Sequence, residues 1–141
     1  LLSRRQRQMC IRDRNSMDTK PRILIVDDKP EIAKVIKIQM SAEYDIVYFP
    51  NPIKALVWMH EGHIPDLIIS DVYMPEMNGN QFIQHLKSSS MFSSIPIIVL
   101  SSMENSGDRI KLLENGAEDF ILKPFNPQEL KIRVRNTLRK R

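Results

Sequence analysis

Three aspartates, a serine and a lysine in this 141-residue chain each stand at the end of a short apolar run. Asp27 and Asp28 close RILIV (22–26), Asp71 closes DLIIS (66–70), Ser101 closes PIIVL (96–100), and Lys123-Pro124 follow DFIL (119–122). If the first and third runs are neighbouring strands, three carboxylates crowd one rim and repel one another. A divalent cation removes that conflict, and an all-oxygen donor set suits Mg²⁺, which takes about six ligands and keeps several waters. With a hydroxyl and an ammonium beside it, the set reads as a receiver for a phosphoryl group. Asp71 is then the acceptor, Mg²⁺ and Lys123 neutralise the transferred oxygens, and Ser101 donates a hydrogen bond. Phosphoryl transfer asks mainly for positioning and charge stabilisation, and these residues supply both. Taken singly, each element has an ordinary explanation: Asp-Asp in a turn, serines at a strand end, Lys-Pro in a loop. Only their joint placement carries the chemistry.

The elements that must position them alternate between two types. RILIV, DIVYF (45–49), DLIIS, PIIVLS (96–101) and DFIL read as strands. PEIAKVIKIQM (30–40) places Ile32, Val35, Ile36 and Met40 on a helical stripe, with Pro30 in the first turn. NPIKALVWMHEG (51–62) is a predicted helix capped by Asn51, with Pro52 at its first position and Gly62 past its end. Further helices are predicted from Gly79 to about Leu86, over 106–116 ending at Gly116, and over 126–141 with Asn126 as cap. Gly79 is expected to serve a turn, and Trp58 to lie in the core. His60, His63 and His85 lack the spacing of a metal site and are expected at the surface. Five strands alternating with five helices imply an α/β fold, a doubly wound parallel sheet with helices on both faces. Nearly unbroken apolar strands agree, because such strands are covered on both sides. In an open sheet of this kind ligands sit at the carboxyl ends of the strands, where the aspartates stand.

Length suits one domain. No apolar run reaches the ~20 residues of a membrane span. The single Cys10 forms no internal disulfide, so a cytoplasmic location is expected. The net charge of +4 misleads, since residues 1–16 hold five arginines and one aspartate, leaving 16 Lys+Arg against 16 Asp+Glu from Met17 onward. RQRQMCIRDR within that leader resembles translated sequencing-adaptor read-through. Residues 1–16 are expected to be a non-native or disordered leader and 17–141 the domain.

ILIVDD, SDVYMPEMNG, PIIVLSS and DFILKPF resemble the response-regulator receiver domain of two-component signalling, from about Lys20 to Arg139. The resemblance implies a flavodoxin-like sheet of strand order 2-1-3-4-5. It implies that Asp28, Asp71 and the backbone carbonyl of Tyr73 bind Mg²⁺ directly, with Asp27 acting through water. Asp71 would take its phosphoryl group from a sensor histidine kinase or phosphotransfer protein, with Lys123 paired to it ahead of a cis peptide bond to Pro124. Ser101 and Phe120 would be the hydroxyl–aromatic switch pair. Ser101 stands where threonine is commoner, and Phe120 where tyrosine is frequent. Tyr73 and Met103 occupy positions flanking the phosphoryl group, where their bulk is expected to hinder the hydrolytic water.

The C-terminal part is similar to receivers of the winged-helix class. That likeness implies a phosphorylation-dependent homodimer through Arg109 with Glu129, Asp119 with Arg133 and Glu114 with Arg135; a solvated mixed-charge face is the plainer reading. The chain is expected to be a stand-alone receiver or the N-terminal fragment of a DNA-binding winged-helix regulator. No direct nucleic-acid binding by this domain, no membrane contact and no turnover activity are expected. A haloacid-dehalogenase-type phosphatase shares the Mg²⁺ pocket and aspartate nucleophile, but needs Asp-x-Asp after the first strand, where this chain has an adjacent pair.

Overall fold

The computed structural model describes residues 19–102 and 106–140. Five strands alternate with five helices: β1 Arg22–Val26, α1 Pro30–Met40, β2 Asp45–Phe49, α2 Pro52–His60, β3 Leu67–Asp71, α3 Gly79–Lys87, β4 Ile97–Ser101, α4 Ser106–Glu114, β5 Asp119–Leu122 and α5 Pro127–Arg139. All strand pairs are parallel, in the order β2-β1-β3-β4-β5. The leader expected over 1–16 lies outside the described residues.

Strand alternation sorts the apolar residues onto two faces. Leu24, Val26, Ile68, Ile97 and Val99 pack with Ala55, Met59, Phe82, Leu86 and Leu112, so α2, α3 and α4 cover one face. Ile23, Ile25, Leu67, Ile69 and Ile98 pack with Ala33, Ile36, Met40, Leu130 and Val134, so α1 and α5 cover the other. Each Val, Leu, Ile, Phe or Met side chain among them, withdrawn from water, contributes roughly 1.5–3 kcal/mol. That double cover is why the strands contain no polar alternation.

The helix starts follow local chemistry. Asn51 accepts the Lys54 N–H at 2.8 Å, and Asn126 accepts from Gln128 and Glu129. Asn78 accepts from Gln81 N–H while the Gln81 side chain accepts from Asn78 N–H, a reciprocal cap legible as Asn-x-x-Gln. Gly62 and Gly116 end their helices with φ of 109° and 115°, in the left-handed region expected after a helix.

Two expectations for the core are corrected. Val35 is 40% exposed, while Ala33, Ile36 and Met40 are buried. At 100° per residue the buried stripe centres between Ile36 and Ala33, and Val35 falls about a third of a turn away. Trp58 is only partly buried, packing at the margin of its cluster. It stacks on His63 with ring centroids 4.7 Å apart, and the Arg22 guanidinium lies 5.9 Å from its ring. His60 and His85 are exposed, as expected; His63 is half-buried by that stacking.

Candidate functional site

Register brings the acids together. β1 and β3 are neighbours, with Val26 opposite Ser70, so the next residues, Asp27 and Asp71, emerge side by side. Among the described residues, Asp27, Asp28 and Asp71 form a group whose carboxylate oxygens lie within 4.8 Å of one another. Asp27 is 1% and Asp71 5% exposed, whereas Asp28 faces solvent.

Lys123 enters from β5. Its main-chain N–H donates to the Ser101 carbonyl at 2.7 Å, and its peptide bond to Pro124 is cis, as the resemblance implies. Its ammonium donates to Asp27 Oδ2 at 3.0 Å and pairs with Asp71 Oδ1 at 3.3 Å. Asp71 Oδ1 also accepts the Val72 N–H at 2.8 Å, and Ser70 Oγ donates to the Asp71 carbonyl. Ser101 is buried at the end of β4, with Leu122 opposite it on β5.

Burial pushes the Asp27 carboxyl above its ordinary value. The Lys29 N–H and the Lys123 ammonium oppose that rise, and the charge of Asp71 adds to it. Two carboxylates thus share one ammonium in a largely dry pocket, with the exposed Asp28 carboxylate beside them. Such a pocket draws in further positive charge, and hard oxygen donors at this spacing fit Mg²⁺.

Phe120 is half-buried on the α2–α4 side of the sheet, opposite Val99. Tyr73 is 58% exposed beside the rim; Met103 lies outside the described residues. Of the proposed interface charges, Arg133 is engaged within its own chain. Its guanidinium meets Asp119 at 2.9 Å and Glu129 at 3.0 Å. The hydrogen bond to Asp119 raises its pKa further. Arg109, Glu114 and Arg135 are exposed.

Two features escaped sequence reasoning. Gly79 does not have a positive φ, so the turn expected of it is not the reason for glycine there. Its N–H donates to the Val72 carbonyl at 2.6 Å, and a Cβ would lie 2.8 Å from Val72 Cα. The start of α3 is thereby pressed against the peptide that follows Asp71. The second is Tyr48, whose hydroxyl donates to the main-chain carbonyl of Asp27 at 2.7 Å. An aromatic in an edge strand carries no sequence signal for that contact.

Residues 23–135 match the family described as "Response regulator receiver domain". Over 118 residues the chain is 38% identical to the protein named "Sensor histidine kinase TmoS" of Ectopseudomonas mendocina, covering 84% of this chain and 12% of that one. It is 37% identical to "Probable transcriptional regulator ycf27" of Guillardia theta over 88% of this chain and 48% of that one. The solved signal receiver domain of a signal transduction histidine kinase from Syntrophus aciditrophicus superposes with a TM-score of 0.78 at 36% identity, over 85% of this chain and 91% of that one. The chain spans about half or less of the length of the two full-length relatives.

Proposed function

We propose a function from one premise: this chain belongs to the response regulator receiver domain family. Asp71 accepts a phosphoryl group from a histidine of a sensor kinase or phosphotransfer protein, and the added charge switches the domain between two states. One observation carries this reading. The carboxylate at the end of β3 lies with two more from just past β1, one buried and one exposed, and beside the Lys123 ammonium.

Asp28, Asp71 and the Tyr73 carbonyl would hold Mg²⁺, with Asp27 acting through water. When bound, the ion neutralises the oxygens of the incoming phosphoryl group and of its acceptor. The remaining steps fall to the chain itself. Val72 N–H orients Asp71 by holding Oδ1, leaving Oδ2 as the nucleophile. Lys123, already 3.3 Å from Asp71, stabilises the charge that arrives. Ser101, buried at the adjoining strand end, donates to a phosphoryl oxygen. Drawing Ser101 inward frees space that Phe120 occupies, and the face formed by α4, β5 and α5 repacks. On that face Arg133 already joins Asp119 and Glu129. Dimerisation of the winged-helix type would therefore exchange intrachain pairs for interchain ones, at little net energy each.

Incubation with acetyl phosphate and Mg²⁺ tests the reading. One phosphoryl group per chain is expected by intact mass, lost in Asp71→Asn. Multiple turnover on small phosphoesters would instead support an aspartate-nucleophile phosphatase. Tyr73→Asn combined with Met103→Glu is expected to shorten the phosphoaspartate half-life, and an unchanged half-life removes their shielding role.

A second reading, in which this receiver controls a DNA-binding winged-helix domain, is supported by the relative named as a transcriptional regulator, which is about twice as long as its matched part. An open reading frame beyond codon 141 that encodes such a domain is the expected finding, and a stop codon there excludes it.

A further inference from the structure

Asp27 is held at every polar atom. Its N–H donates to the Phe49 carbonyl at 3.3 Å, Oδ1 accepts from Lys29 N–H at 2.8 Å, Oδ2 accepts from Lys123 at 3.0 Å, and its carbonyl accepts from the Tyr48 hydroxyl at 2.7 Å. Asp28 is the opposite case. It is exposed, and among the described residues its carboxylate has no hydrogen-bond or ion-pair partner. Its position is therefore set through the backbone, by the Asp28–Lys29 peptide, whose N–H Asp27 Oδ1 holds, and by the Asp27–Asp28 peptide. The oxygen of that peptide is the one Tyr48 holds.

We propose that Tyr48 is a positioning residue of the acidic rim, whose hydroxyl fixes the Asp27–Asp28 peptide and so keeps the Asp28 carboxylate in place for a divalent cation. This rests on the reading of Asp27, Asp28 and Asp71 as a Mg²⁺ pocket. The strand explains how the phenol reaches the rim. Val47 and Phe49 turn to the α2–α4 face, while Ile46 and Tyr48 turn to the α1–α5 face. The Tyr48 ring is anchored there against the isoleucine cluster, and its hydroxyl projects to the strand ends. Burial, then the negative charges of Asp27, Asp28 and Glu31, push the phenol above its ordinary value. Ligands whose supporting hydrogen bonds are removed lose metal affinity, commonly by about 10–100-fold.

Calorimetric titration of Mg²⁺ into the wild type, Tyr48→Phe and Tyr44→Phe tests the proposal. Tyr44 belongs to the same cluster but lies just before β2, at the end of the strand away from the acidic rim. Tyr48→Phe keeps the ring and removes only the hydroxyl. Its dissociation constant is expected to rise about ten-fold, the low end of that range, with Tyr44→Phe unchanged. Labelling of Tyr48→Phe by acetyl phosphate should be slow at low Mg²⁺ and return to the wild-type rate at saturation. Equal affinity in Tyr48→Phe and wild type overturns the proposal, as does equal weakening in Tyr44→Phe or a rate deficit that saturation does not relieve. A wild type with no Mg²⁺ affinity overturns the metal pocket itself, and that result is visible before either variant is measured.

Discussion

At the start of β1, Arg22 meets Asp45 at 2.9 Å with side chains 41% and 49% exposed. Beyond its end, Asp27 and the Asp71 of the next strand meet Lys123 at 3.0 and 3.3 Å, with all three side chains at most 13% exposed. One strand thus carries charge to both rims of the sheet, with opposite consequences. At the first rim Arg22 and Asp45 pair in water while the Arg22 main-chain N–H holds the Asp66 carboxylate at 2.7 Å, so the side-chain pair is worth little beyond local order. At the second, two buried carboxylates share one ammonium with a third, exposed carboxylate close by, and a cation or a chemical event relieves the imbalance. Charge at a strand end becomes a site when it is both withdrawn from water and left unbalanced.

Exchanging the central cation at each rim for an apolar chain of similar length tests this difference most strongly. Lys123→Met leaves buried carboxylates without their counter-charge, so the metal-free protein is expected to lose on the order of 3 kcal/mol in urea unfolding at neutral pH. Mg²⁺ should restore part of that loss.

Gly79→Ala comes next. Its new Cβ meets backbone rather than a yielding side chain, with an expected cost of ~1–3 kcal/mol. The same rim would then show tight packing as well as charge. Alanine tolerated there without loss would mean that α3 shifts freely.

Asp27→Asn is smaller and of opposite sign. Lys123 keeps Asp71 as a partner while one repelled, buried charge disappears. The metal-free thermal midpoint is expected to rise by about 3 °C, while Mg²⁺ affinity falls. The pH dependence gives the same sign. A raised folded-state carboxyl binds its proton more tightly than the unfolded chain does. Its effect on stability is therefore a loss as pH climbs from near the ordinary value of 3.8 toward the raised one. The asparagine variant should lack that loss, and a midpoint that falls instead would make Asp27 a net stabiliser. Smallest of all, Arg22→Met should cost under ~1 kcal/mol; a loss matching that of Lys123→Met would erase the contrast between the rims.

Much of this architecture was legible in the chain before folding. Apolar runs too unbroken for a one-sided sheet announced strands covered on both faces. Asn51-Pro52 and Asn126-Pro127 marked helix starts, and Gly62 and Gly116 marked helix ends. Asp71 and Lys123 were readable because their residue types have few reasons to follow such runs. Val35 was misplaced because a β-branched residue beside a helical stripe looks the same whether it lies inside or outside it. Tyr48 and Gly79 were missed for a different reason. Their importance is a contact with backbone atoms of a segment far along the chain or folded back on itself, and such contacts leave no local pattern.

Residue order by itself determined the alternation of elements, the burial of the strands and the kinds of group at each strand end. All are consequences of short-range geometry and of apolar surface avoiding water. Tertiary structure alone decided which strand ends are neighbours, how far the Lys123 ammonium lies from each carboxylate, and that Asp27 is held while Asp28 is free. Those depend on the β2-β1-β3-β4-β5 order and on contacts between segments as many as 96 residues apart. The chain makes such contacts only once its entropy has been overcome by the core as a whole.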